Sequence, residues 1–263
     1  MNEVGRCADV VPALAPVVSE GREIALVDIG TGAGLGLNLD RYRYVYRGPG
    51  ARRAATGDPR SQLVLQVDVR GDVAPSVPPE LPRVVDRIGI DTEPLELSDP
   101  AVRAWLAACV PQEIGAVNRF HHATEIALRH PARTIRGDAC DVLEQLLDEL
   151  PGDAVVCLVD TYVHAFFPEP ELEHFLALVH AAGSHRDLDW ISVDPLVPMG
   201  PQAKRSVLGL PVASRLLARN RREGVFGVVG RLSYRSGRRK AALIALAHPG
   251  AAWLEWLPEA RGG

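Results

Sequence analysis

The sequence is poor in cysteine, and its four (Cys7, Cys109, Cys140 and Cys157) are scattered, with no CxxC pair. That excludes a zinc ribbon and a thioredoxin-like motif and fits a reduced, cytoplasmic protein. Long hydrophobic runs are missing: none reaches the roughly 18 residues that cross a bilayer. The first residues, Met1 to Cys7, lack a basic stretch followed by an apolar core, so no secretory signal is expected and no membrane partner. An excess of positive charge is missing too. The net charge of −4 argues against nucleic acid as the main partner, because phosphate binding needs a basic field. The C-terminal part is locally arginine-rich, from Arg215 to Lys240, but aromatics make up only 5% of the chain and few interleave there. What remains is 263 residues, 47% hydrophobic and 24% charged, the composition of one ordinary α/β domain with a sizeable core.

The spacing predicts an N-terminal helix within residues 1–22, disturbed at Pro12 and Pro16, and an α/β domain over 23–263. Glu23–Ile29 reads as a strand buried on both faces, and Ala33–Leu39 opens a helix. Residues 41–46 and 63–69 alternate. With the glycine- and proline-rich loop 48–59 between them, they predict an antiparallel β-hairpin with a mobile tip, an insertion covering 40–82. Val84–Asp91 is a second core strand. Helices over Pro100–Val110 and Ile114–Arg129 follow, then a short strand at Thr134–Asp138 and a helix over Asp141–Leu150. Ala154–Val159, a helix over Pro170–Ala182, Trp190–Val193, and a C-terminal hairpin of Val225–Tyr234 with Lys240–Ala247 complete the pattern. Strands alternating with helices imply a mostly parallel, Rossmann-like sheet with helices on both faces.

The most informative stretch is Asp28-Ile-Gly-Thr-Gly-Ala-Gly34, which runs from a buried strand into a helix. Such a turn is expected to present backbone N–H groups to a nucleotide-like ligand. A Walker loop needs a lysine after the glycines, and none follows. A dinucleotide fingerprint starting at Gly30 meets Leu35 at its third glycine position. The remaining pattern, acid-x-Gly-x-Gly-x-Gly, resembles the first motif of class I methyltransferases, which bind S-adenosylmethionine. In that reading Asp28 lies near the cationic end of the cofactor, and Gly30, Gly32 and Gly34 let it approach the backbone. Asp91, at the end of the second strand, is placed to accept ribose hydroxyls, or else is a turn or cap residue. Asp138, in Arg136-Gly-Asp138, would lie near the adenine amino group, or else caps the next helix.

Asp160, Tyr162 and His164 follow the fourth strand. They are candidates for catalysis, Tyr162 or His164 as a base or as a group that orients the acceptor, with packing and capping as the alternative. His121, His122 and His130 read as a solvated helix face, and no metal site is expected. No Gly-x-Ser-x-Gly elbow is present.

Taken together, several motifs resemble those of a bacterial family known only as a domain of unknown function. They are Asn2-Glu-Val-Gly-Arg6, the Gly30–Asn38 turn, Asp40-Arg-Tyr42, Arg87–Pro94 with Asp99-Pro100, Arg136-Gly-Asp138 and His248–Trp256. The resemblance spans nearly the whole chain. It implies a methyltransferase-like Rossmann core and an additional N-terminal helical region preceding the segment where this chain begins. The expectation is an S-adenosylmethionine-dependent methyltransferase of a small-molecule substrate. The alternative is a non-catalytic domain of the same fold that binds a nucleotide or a protein partner. A nicotinamide oxidoreductase ranks third.

Overall fold

The computed structural model describes residues 3–48, 53–110, 115–196, 206–224 and 226–258. Asn2, the expected helix start at Ile114, the middle of loop 48–59 and Val225 lie outside the described residues.

The N-terminal segment is a series of short turns rather than one helix. Val4–Arg6 is a 3₁₀ turn, α1 spans Cys7–Val10, Val11–Leu14 is again 3₁₀, and α2 spans Ala15–Ser19. Pro12 and Pro16 each sit in the first turn of a new piece, where a missing N–H leaves no hydrogen bond unmade. The prolines therefore restart the helix instead of ending it.

β1 (Ile24–Ile29) leads through the glycine turn into a 3₁₀ helix, Leu35–Arg41, where an α-helix was expected. The strands β2 (Arg43–Arg47), β3 (Ala54–Gly57), β4 (Val64–Arg70) and β5 (Val84–Asp91) follow. Then come α3 (Pro100–Cys109), α4 (Ala116–Arg129), β6 (Arg133–Arg136), α5 (Ala139–Glu149), β7 (Val155–Thr161), α6 (Glu169–His185) and β8 (Leu188–Pro195). A two-stranded ribbon of β9 (Ser206–Val207) and β10 (Leu210–Pro211) precedes α7 (Ser214–Glu223). The chain closes with β11 (Gly227–Arg235), β12 (Arg238–Ala247) and β13 (Trp253–Trp256).

Eleven strands form one sheet in the order β3-β2-β4-β13-β12-β11-β8-β7-β1-β5-β6. From β6 to β8 all neighbours are parallel. β11 and β12 form the expected antiparallel hairpin, placed against β8. The segment expected as a separate hairpin is different. β2 and β4 run parallel, β3 is the antiparallel partner of β2, and β4 joins β13. Alternation told which face each strand buries, but it carries no information about the direction of the partner. Ala54–Gly57, expected within a mobile tip, is ordered by this pairing, with Thr56 fully buried.

Successive β1 residues point to opposite faces. Ile24 and Leu26 pack with the N-terminal turns and α4; Ala25, Val27 and Ile29 pack with α5 and α6. On the first face, Tyr42, Tyr44 and Tyr46 are fully buried. Their hydroxyls donate to the carbonyls of Leu35 (2.6 Å), Leu39 (2.6 Å) and Ala8 (2.8 Å). Buried phenols need such partners, and these three tie the 3₁₀ helix and α1 onto the sheet. Because β5 and β6 lie on one side of β1 and β7 and β8 on the other, the chain reverses its direction of travel at β1. Parallel sheets leave a crevice at the carboxyl ends of the strands at such a reversal.

Candidate functional site

That crevice is a cavity of about 590 Å³, within the range of small-molecule sites. Its floor comes from the carboxyl ends of three strands: Asp28 and the glycine turn after β1, Asp91 and Glu93 after β5, and Val159, Thr161 and Tyr162 of β7 and its turn. Its other walls come from Glu3 to Val10 and from Trp105 to Val110. Trp105 and Phe166, 58% and 56% exposed, stand among its lining residues as aromatic groups open to solvent. The strands of 40–82 do not line it; the N-terminal turns and α3 do.

Gly30, Gly32 and Gly34 all have positive φ (67°, 57° and 70°), a region costly for residues with a Cβ. Gly30 is also hemmed in: a Cβ there would meet Val163 Cγ2 at 2.5 Å. The turn does not present its N–H groups to a ligand as the sequence led us to expect. Gly30 and Thr31 both donate to the Ile90 carbonyl (2.8 and 3.1 Å), Gly34 donates to Thr31, and Gly32 donates to the Asp91 carboxylate at 2.8 Å. A pyrophosphate would need amides of this kind, and these are committed to the protein.

What the turn presents instead is negative charge. Asp28 accepts from the Thr31 hydroxyl at 2.8 Å and faces the cavity. Burial, with further repulsion from Asp160 and Asp91, outweighs the Thr31 hydrogen bond and pushes its carboxyl up to about 7. Asp91 also accepts from the Glu93 N–H at 2.9 Å. Each carboxylate oxygen can accept more than one hydrogen bond, so capacity for a ligand hydroxyl remains.

Asp138 is not part of this group. It caps α5, accepting from the Cys140 N–H at 2.8 Å, and does not line the cavity. Of the two readings of Asp138, the geometry matches the cap.

Asp160 and His164 are also absent from the cavity wall. Both are buried, at 1% and 2% exposure, in a network reaching into β8. His164 Nδ1 lies 2.9 Å from Asp160 Oδ1, and His164 Nε2 lies 2.5 Å from Asp194 Oδ2. The Ser192 hydroxyl is 3.1 Å from Nδ1, and the Trp190 indole donates to Asp160 at 2.7 Å. Burial opposes a charge on His164, but the two carboxylates prevail and push it up to about 10. At neutral pH it is an imidazolium, with no lone pair to accept a proton. The expected base role is corrected on that ground. Asp160, His164 and Asp194 also form a cluster of metal-ligand types, with donor atoms within 4.8 Å of one another. Each ring nitrogen, however, faces its own carboxylate. That geometry belongs to a bracketed imidazolium, not to donors converging on an ion.

Tyr162 does reach the cavity, through its ring. It has φ 63°, and its N–H donates to the Val193 carbonyl at 2.8 Å. The Arg6 guanidinium lies 4.0 Å above the ring centroid. The hydroxyl is buried without a hydrogen-bond partner, and burial pushes it up to about 12. A base is not expected of it either.

The remaining expected features are accounted for on the surface. His121 and His130 are exposed on and after α4. Much of the C-terminal basic charge is paired: Arg219 with Glu255 and Glu223, and Arg231 and Arg235 with the buried Asp189. Among the described residues no helix is long and apolar enough to cross a membrane. Sequence reasoning missed Glu3, Arg6, Trp105 and Phe166 as cavity residues. The resemblance did single out residues 2–6, but as a family feature and not as a wall of the site.

Over residues 1–256 the sequence matches the family described as "Uncharacterized protein conserved in bacteria (DUF2332)". The chain belongs to this family. No curated protein sequence matches it. One solved structure it resembles is magnesium protoporphyrin IX methyltransferase from Synechocystis PCC 6803 with bound SAM. The two are 13% identical over 92% of this chain and 78% of that one, with a TM-score of 0.31. So slight a likeness carries neither residues nor activity to this family member.

Proposed function

We propose that this protein is an S-adenosylmethionine-dependent methyltransferase of a small molecule. One observation carries the reading: two carboxylates, Asp28 and Asp91, flank a left-handed glycine turn whose Gly30, Thr31, Gly32 and Gly34 amides are already bonded, on the wall of an open cavity. That donor set suits a ligand with a cation and hydroxyls and no phosphate. The bound cofactor would supply an electrophilic methyl group on a sulfonium. The protein's contribution is to position and to exclude water. Asp28 would face the positive end and Asp91 the ribose hydroxyls, while Gly30 lets the turn pack against Val163, which a Cβ there would meet. Tyr162, held by the Val193 carbonyl and flanked in sequence by Asp160 and His164 of the Asp160–His164–Asp194 network, would shape the acceptor side. These three network residues are positioning residues in this reading. The open cavity favours a ligand-binding protein over a filled, purely structural domain.

The test is calorimetric titration with S-adenosylmethionine and S-adenosylhomocysteine, with NAD as control and Asp91→Ala as comparison. Micromolar binding of both adenosyl ligands, lost in the variant and absent for NAD, is expected. Absence of binding to folded protein, or tighter binding of NAD, overturns the reading.

A further inference from the structure

The cavity is electrically lopsided. Asp28, Asp91 and Glu93 gather at the sheet, while Arg6 stands on the wall formed by the N-terminal turns. Arg6 is 9% exposed, and burial lowers its basicity without neutralising a guanidinium. Its Nε donates to the Pro249 carbonyl at 3.2 Å. Its Cζ lies 4.0 Å from the Tyr162 ring centroid, a cation–π contact that, with the Pro249 bond, restrains its position. Among the described residues neither terminal nitrogen has a hydrogen bond or an ion pair, and neither is sealed from solvent.

The nearby acids do not cancel this charge. Glu3 is committed elsewhere, accepting from the Gly5 N–H at 2.9 Å and from Arg119 at 3.3 Å. Asp9 is wholly buried with no hydrogen bond to either oxygen. Burial, more than the opposing pull of Arg6, raises its carboxyl well above the usual range and disfavours its charged form, and neither oxygen bonds the guanidinium. What remains is a restrained guanidinium fork, largely removed from water, with its two outer donors open. That is the arrangement a planar oxyanion satisfies with paired charge-assisted bonds.

We infer that Arg6 is the anion receptor of this cavity and takes a carboxylate of the bound ligand. The inference rests on the cavity being the ligand site proposed above. The carboxylate has two possible sources, the amino-acid end of the cofactor or the methyl acceptor, and two arms of one experiment separate them.

In the first arm, S-adenosylhomocysteine and its primary carboxamide are titrated into the wild type, Arg6→Gln and Arg6→Lys. In the second, benzoate, phenylacetate and hexanoate are each compared with their primary amides, with and without saturating S-adenosylhomocysteine. In at least one arm the wild type should prefer the carboxylate about tenfold or more, as two charge-assisted bonds imply. Arg6→Gln should reduce that preference to within about twofold. Arg6→Lys, which keeps the charge but loses the fork, should retain part of it and provides the reading if Arg6→Gln does not fold. No preference in either arm, or a preference that persists in an Arg6→Gln protein with wild-type thermal unfolding, overturns the inference. Failure of every adenosyl ligand to bind would instead sink the methyltransferase reading, and the second arm run without them would still judge Arg6.

Discussion

The carboxylate of Asp91 accepts the backbone N–H of Gly32 at 2.8 Å, a contact between residues 59 positions apart. It joins the ends of β5 and β1 and occupies the Gly32 amide. The same contact occupies one amide of a loop that resembles a phosphate cradle, and it makes Asp91 a brace between the two strand ends.

Asp28 makes ligand binding pH-dependent. Its carboxyl, raised to about 7, is largely neutral below that pH. A cationic ligand prefers the ionised form, so affinity should rise as pH increases through 7 and then level off, with protons released on binding. Titration between pH 6 and 8 in buffers of different ionisation enthalpy checks this. A flat profile in the wild type, or one unchanged in Asp28→Asn, goes against it.

The same residue should oppose folding. A carboxyl with a folded value above its unfolded one costs stability as pH rises from about 4 to about 7. Asp28→Asn should therefore be more stable than the wild type at pH 8, by up to about 4 kcal/mol in denaturant or thermal unfolding, with little difference at pH 4. The ligand cavity on one side of Asp28 lowers the gain below that ceiling.

His164 should show the opposite sign. Its raised value, about 10, means that the stability it contributes is complete below about 6.5 and is lost as pH rises through 10. His164→Ala removes the imidazolium between the buried carboxylates Asp160 and Asp194 and should cost about 3–5 kcal/mol at pH 7. Thermal unfolding from pH 6 to 10.5 should show the wild type losing stability across that window and the variant losing less.

Gly30→Ala should lower stability by about 1–3 kcal/mol, from the positive φ, and weaken adenosyl binding, from the collision with Val163. Adding Val163→Ala should recover part of the stability lost to the collision and none of that lost to φ. Equal stability of the single and double variants would mean that the collision contributes nothing.

Asp138→Ala separates cap from cofactor ligand. Loss of the α5 cap should cost about 1 kcal/mol in thermal or denaturant unfolding. Affinity for S-adenosylhomocysteine should be unchanged in calorimetry. A large loss of affinity with wild-type stability would return Asp138 to the site.

Local chemistry made part of this protein legible in its sequence. The apolar run of β1, the glycines that need positive φ, the cap at Asp138 and the β11–β12 hairpin depend on near neighbours in the chain. Tertiary structure alone decided that β2 and β4 run parallel at the far end of one sheet, because a strand's own pattern fixes its faces and not its partner. It alone made His164 a cation, because Asp160 and Asp194 come from different strands and electrostatic energy depends on distance and on exclusion of water. And it alone brought Arg6 over Tyr162, the residue that sequence proximity had grouped with His164.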